Sequence, residues 1–240
     1  MHPTDYATVP PGGGRGREGI VRIREMHVWF DGVPLFALQF WRFAAIRWPQ
    51  LSREAGLVHI GFFGGSFDPP HICHALFCVY ALEITGVEKV LWVPCADHPF
   101  GKPMAPFEHR LAMSRLAAES LGARVEVLDI EAHLPRPNYT IHTIEALRRR
   151  APQDRLSILI GSDLLGEVDQ WEQIDRLREQ VDFLVVPRGG YGPGDDALAP
   201  ALPRVSSTAV REALRAGRAV ERVLTPAVRE YIVRHNLYRD

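Results

Sequence analysis

The sequence predicts an α/β domain over residues 58–240: an open, doubly wound parallel sheet, followed by a small C-terminal helical portion. Three observations predict it. From Val58 onward, short apolar runs alternate with longer amphipathic ones; composition changes near residue 57; and no fixed-period repeat is present. Strands separated by helices pair in parallel through right-handed crossovers.

Val58 to Phe63 (VHIGFF) is a nearly unbroken apolar run, the mark of a strand covered on both faces. A glycine turn follows, then a helix from about His71 to Ile84. Lys89 to Pro94 (KVLWVP) is the second strand, and Phe107 to Leu121 the second helix. Arg124 to Ile130 reads as the third strand. Thr140 to Arg150 is a helix whose Ile141, Ile144 and Leu147 share one face. Leu156 to Ile160 and Val181 to Val186 complete the sheet, with helical material around Trp171 to Arg178 between them. Ligands of such sheets sit beyond the carboxyl ends of the strands, so the chemistry belongs to the residues that follow each strand.

Residues 1–57 differ. They hold Pro10-Pro11-Gly12-Gly13-Gly14, three of the five tryptophans (Trp29, Trp41 and Trp48), and no clean strand or helix period. The order of features is wrong for a secretory signal. We read this stretch as a non-catalytic extension, poorly ordered or arising from an upstream mis-start. It carries 7 basic and 5 acidic residues, leaving 21 and 24 for residues 58–240. A net charge of −1 argues against nucleic-acid or anionic-membrane binding as the main activity. No apolar run is long enough to span a bilayer. Three cysteines, Cys73, Cys78 and Cys95, are too few and too odd in number for a disulfide scaffold, and point to a reducing cytoplasm. Only Lys89 and Lys102 among the 28 basic residues are lysine.

The first strand ends in Gly64-Gly65-Ser66-Phe67-Asp68-Pro69-Pro70-His71-Ile72-Cys73-His74. The glycines let backbone N–H groups approach an anion, and the prolines stiffen the entry to the helix. His71 and His74 lie on one face at the positive end of the helix, a place for polyphosphate oxygens. Neither a Walker A loop nor a Gly-x-Gly-x-x-Gly pattern is present, which weighs against kinase, ATPase and ordinary dehydrogenase chemistry. Zinc held by His71, Cys73 and His74 with Cys78 or Cys95 is disfavoured, because adjacent Cys73 and His74 point to different faces.

The spacing Gly-Gly-x-Phe-x-Pro-x-His-x-x-His resembles the fingerprint of the nucleotidyltransferases typified by nicotinate-nucleotide adenylyltransferase. That resemblance implies a Rossmann-like fold of the nucleotidyltransferase superfamily. Val205-Ser206-Ser207-Thr208-Ala209-Val210-Arg211 is similar to the family's Ile-Ser-Ser-Thr-x-Ile-Arg motif, and its helix start would also bind phosphate oxygens. Gly161-Ser162-Asp163 resembles the Gly-x-Asp that contacts adenosine, although an aspartate there could equally cap a helix. Asn138, Tyr139, Thr140 and Trp171 match the segment lining the pyridine pocket; Trp171 could instead be core. Arg188 fits a position holding the mononucleotide. Lys102 lies in a loop, His98-Pro99-Phe100-Gly101-Lys102-Pro103, that departs from the family's common Pro-Pro-His-Lys while keeping the lysine. His59, His133 and His142 read as structural.

The resemblance implies transfer of the adenylyl group of ATP to nicotinate mononucleotide, giving deamido-NAD and pyrophosphate. His71, His74, Lys102 and Arg211 would be the catalytic donors. Gly64, Gly65, Ser66, Phe67, Gly161, Asp163, Ser206, Ser207 and Thr208 would hold ATP, which brings Mg²⁺; no protein metal site is expected. Nicotinamide mononucleotide or another phosphorylated acceptor, and a non-catalytic nucleotide sensor, stay open as alternatives. The oligomeric state is not legible, and a homo-oligomer stays open. A chain that begins at Val58 is expected to fold and to keep full turnover; loss of either, measured by thermal unfolding and by product formation, would move the boundary.

Overall fold

The computed structural model describes residues 57–97, 101–189 and 202–239. The 1–56 stretch of the N-terminal extension and His98 to Phe100 of the Lys102 loop lie outside the described residues. Five strands, β1 (His59–Gly65), β2 (Lys89–Pro94), β3 (Val125–Val127), β4 (Arg155–Gly161) and β5 (Asp182–Val186), form one sheet in the order β3-β2-β1-β4-β5. Every pairing is parallel. The central strand β1 is paired on both edges and covered by helices on both faces, which explains its nearly unbroken apolar sequence. Registers Gly65↔Pro94 and Gly161↔Val186 align the strands' carboxyl ends along one side of the sheet.

Alternate residues feed two cores. Phe63, Val90, Trp92 and Leu159 point into one, closed by α1 (Ile72–Ile84), α2 (Phe107–Ala118), α5 (Ser207–Arg215) and α6 (Pro226–Arg234). Ile60, Phe62, Leu91, Val93 and Ile158 point into the other, closed by α3 (Thr140–Arg150) and α4 (Ile174–Gln180). Ile141, Ile144 and Leu147 are buried there, as their spacing predicts. No helix among the described residues is long and apolar enough to cross a membrane.

Two differences from the sequence reading have physical causes. The third strand is shorter than Arg124 to Ile130, because β3 is an edge strand paired with β2 at only three positions. Leu128 N–H still donates to the Trp92 carbonyl (3.0 Å); the chain then turns into a short 3-10 segment, Ile130–His133, that buries Ile130 and Glu131. Helix α6 is legible in the sequence only as a general C-terminal helical portion. Its start is nevertheless well signalled: Thr225 Oγ1 accepts from Val228 N–H, Pro226 occupies the first turn, and Val228 and Ile232, four apart, anchor it in the core.

Candidate active site

The loop after β1 is shaped by aromatic packing. A Cβ on Gly64 would lie 2.7 Å from the buried Phe62 ring, so a side chain there would have to displace that ring. Phe67 adopts a left-handed backbone (φ 46), a conformation that costs an L-residue about 1–2 kcal/mol. Its buried ring offsets this by packing edge-on to Phe63 (centroids 5.1 Å apart) and against Trp92 (4.9 Å). The turn carries the chain to His71 and His74, whose rings stack with centroids 3.7 Å apart and 17° between planes.

His71 N–H donates to His74 Nδ1 (3.0 Å), which places the proton of a neutral His74 on Nε2. Burial, assisted by the charge of Arg188, lowers the His71 pKa to about 3. Burial, then His71 and Arg188, hold His74 well below the ordinary histidine range. Both are therefore neutral donors at neutral pH. His71 Nδ1 is buried, and its nearest donor among the described residues is the His74 backbone N–H, in a capping-box arrangement at the start of α1. Cys73 Sγ faces the Pro203 carbonyl (3.5 Å) rather than the imidazole pair. Among the described residues, no three His, Cys, Asp or Glu side chains are grouped to hold a metal ion.

Helix α5 approaches the same loop. Ser206 is its N-cap, accepting from Ala209 N–H (3.2 Å). Ser207 Oγ donates to the Pro69 carbonyl (3.0 Å), and Arg211 Nη1 to the Asp68 carbonyl (2.6 Å), while Arg211 Nη2 donates to Thr208 Oγ1 (3.2 Å). The two phosphate-type motifs, 132 residues apart from His74 to Ser206 in sequence, are thus laced together.

Beyond β4, Asp163 Oδ2 accepts from Arg188 Nη1 (2.7 Å), and Arg188 Nη2 donates to the Val205 carbonyl (3.0 Å). Asp163 Oδ1 is buried and has no hydrogen-bond partner among the described residues. A Cβ on Gly161 would stand 2.2 Å from Asp163 Oδ1 and 2.8 Å from Arg188 Cδ. The glycine therefore makes room for this ion pair, a more specific demand than general access for a nucleotide. Asp163, Arg188 and the start of α5 form the second wall of the site.

The Asn138-Tyr139-Thr140 segment opens α3, whose first turn has no side-chain cap. Asn138 Nδ2 donates to the Glu131 carbonyl (3.0 Å). Trp171 is half-buried and packs toward Phe183 (centroids 6.1 Å apart), so it has a core contact whatever else it touches. Lys102 is exposed on the loop leading to α2. Ser66 contributes its backbone carbonyl to the bracing of the loop after β1.

Three residues that sequence reading did not assign to the site hold it together. Arg110, 1% exposed, donates to the carbonyls of Ser66 (2.9 Å), Cys95 (2.7 Å), Ala105 (2.8 Å) and Ala96 (3.4 Å). Glu131, 6% exposed, accepts from Ala96 N–H (3.1 Å) and Thr143 Oγ1 (3.0 Å), joining the end of β2 to α3. Burial raises its pKa to about 7, against the opposing pull of those two donors and of Arg110. Asp68 receives Arg211, Ala105 and Tyr238. A buried charged side chain in a strand-end loop can only be recognised once the fold shows which carbonyls and amides surround it.

Residues 62–213 match the cytidylyltransferase-like family. A protein of Anaeromyxobacter dehalogenans (strain 2CP-C) named "Probable nicotinate-nucleotide adenylyltransferase" is 40% identical over 183 residues, covering 75% of this chain and 96% of its own length. The chain belongs to the nicotinate-nucleotide adenylyltransferase family. A Thermus thermophilus relative of the same name is 38% identical over 188 residues, 76% of this chain and all of its own. The fold is shared with a Plasmodium falciparum nicotinic acid mononucleotide adenylyltransferase complexed with NaAD, at 19% identity and a TM-score of 0.65 over 75% of this chain and 97% of that one. Membership makes this chain a nucleotidyltransferase, and the expected α/β architecture is the one observed.

Two outcomes follow from the buried groups. In the ligand-free protein at about pH 6, nitrogen-detected NMR should show His71 and His74 neutral, with His74 as the Nε2–H form; charged rings would contradict their desolvation. Glu131, with a folded pKa above its unfolded one, stabilises most at low pH, and that stability is lost as pH rises through about 7. The unfolding free energy of the wild type relative to Glu131→Gln should therefore fall by roughly 2–3 kcal/mol between about pH 5 and about pH 8 in urea titrations; a flat difference would exclude a buried acid.

Proposed function

We propose that residues 58–240 transfer the adenylyl group of ATP to nicotinate mononucleotide, giving deamido-NAD and pyrophosphate in NAD biosynthesis. The observation that carries this reading is the lacing of the Gly64–His74 loop to α5 through Ser207 and Arg211, beside the stacked rings of His71 and His74. The names of the family relatives support it.

The nucleophile is a phosphate oxygen of the mononucleotide, already ionised at neutral pH, so no general base is needed. The remaining work is in-line positioning and stabilisation of charge on the α-phosphate and the departing pyrophosphate. We assign that work to His71, His74 and Arg211, with Lys102 reaching the polyphosphate from its exposed loop. Gly64, Gly65, Ser66 and Phe67 form the floor beneath ATP, Gly161 and Asp163 meet the adenosine, and Ser206, Ser207 and Thr208 present the α5 start. Neutral imidazoles suit this role, since each donates a ring N–H without drawing the ATP phosphates into a tight ground-state ion pair.

Mg²⁺ enters as part of the substrate, bound to the phosphates of ATP. The two nearest carboxylates, Asp68 and Asp163, are engaged by Arg211 and Arg188, and fit the role of orienting guanidinium groups better than that of a metal cage. The pyridine end is assigned to Asn138, Tyr139, Thr140 and Trp171, with Arg188 on the mononucleotide. The uncapped start of α3 favours nicotinate over nicotinamide, because free N–H groups at a helix N-terminus prefer a carboxylate to an amide. The place of action is the cytoplasm, where both substrates would be met.

Pyrophosphate release from Mg-ATP with each mononucleotide in turn tests the reading. Turnover with nicotinate mononucleotide is expected, and His74→Ala should lower kcat/KM by about 100-fold or more, the loss of one donor aimed at the transition state. Near-normal turnover of that variant would remove His74 from the mechanism, and no turnover with any acceptor would leave a nucleotide sensor.

A further inference from the structure

After α6 the chain takes a course that neither core packing nor helix capping accounts for alone. Leu237 N–H donates to the Ile232 carbonyl (3.0 Å), closing the helix with Asn236 in a left-handed backbone (φ 51), as an asparagine often is there. Tyr238, two residues later, is left-handed as well (φ 60). An aromatic residue seldom adopts that conformation unless its surroundings enforce it.

Tyr238 packs against the core, and its hydroxyl reaches the loop after β1. Tyr238 Oη donates to Asp68 Oδ1 (2.7 Å), and burial beside that carboxylate keeps the phenol protonated. Asp68 is 2% exposed. Its Oδ1 also accepts from Ala105 N–H at a longer 3.3 Å, and its Oδ2 lies 3.6 Å from Arg211 Nη1, which itself donates to the Asp68 carbonyl (2.6 Å). A buried carboxylate needs donors on both oxygens. Without the phenol, Oδ1 keeps only the weaker backbone donor, and the group gains by turning onto Arg211. The guanidinium would then be neutralised by Asp68 instead of facing a ligand.

We propose that Tyr238 is a positioning residue for adenylyl transfer: its hydroxyl fixes the Asp68 carboxylate, and through it the guanidinium of Arg211, at the phosphate loop. This rests on the function proposed above and adds to it a contribution from the segment after α6. The effect falls on ATP, because Asp68 and Arg211 lie at the two phosphate motifs and not at the Asn138–Thr140 segment.

The test uses the full chain and steady-state pyrophosphate release. Tyr238→Phe should raise KM for ATP about tenfold, the loss expected of one hydrogen bond to a charged group, with KM for nicotinate mononucleotide kept within about twofold. Placed on an Arg211→Lys background, the same change should cost less than about twofold, since the hydroxyl acts only through Arg211. A wild-type KM for ATP in Tyr238→Phe, equal losses toward both substrates, or a full multiplicative loss on the lysine background would overturn the proposal. A wild type that releases no pyrophosphate would instead overturn the parent reading. Should Tyr238→Phe fail to fold, the near-isosteric Asp68→Asn decides: the same ATP-selective loss, masked by Arg211→Lys, supports the proposal, and its absence overturns it.

Discussion

The guanidinium of Arg110 is the contact on which the site depends. Its N–H groups reach carbonyls from the end of β1, the end of β2 and the approach to α2, so three segments remote in sequence share one cation. Among the described residues, no backbone N–H of another turn or loop donates to these carbonyls. A planar donor set suits this fan of acceptors in a way that a lysine ammonium would not. Burying a full charge against carbonyl dipoles is costly unless the geometry is saturated, and the saturation itself sets the relative positions of the loops. The loops at these strand ends are therefore organised from beneath, by a side chain buried away from solvent.

Beside that anchor, two more strand-end loops are each held by one cross-loop ion pair. Arg188 joins Asp163 to the carbonyl before α5, and Arg211 joins Asp68 to α5 itself. Both guanidinium groups are committed to protein acceptors and are partly buried, so neither is a loosely tethered surface charge. A chain of near-neutral net charge thus gathers cations at its strand ends, each beside a carboxylate that fixes its place. Glu131 plays the equivalent part at the start of α3, where its carboxyl and backbone carbonyl tie the loop after β2, α3 and Asn138 together.

Much of this is legible in the sequence, and the rest is not for identifiable reasons. The parallel sheet follows from apolar runs such as Val58 to Phe63, because complete burial leaves no polar face to read. The two phosphate motifs are legible because glycine, proline, histidine and serine at a strand end each answer to a local backbone requirement. Arg110, Asp68 and Tyr238 are not, since their roles depend on partners 44, 143 and 170 residues away. Gly161 stands out by its place at a strand end, yet its neighbour is the Asp163–Arg188 pair, which only the fold brings together. The shortened β3 shows the same limit: an edge strand stops where its partner's pairing stops, and hydrophobicity alone does not mark that point.

The stacked imidazoles have one more consequence. Because burial keeps His71 and His74 uncharged when surrounded only by protein, the two rings lie face to face without charge repulsion between them. The loop after β1 therefore stores no positive charge on these two residues, and what they offer it is a pair of ring N–H dipoles whose direction the stack helps to fix.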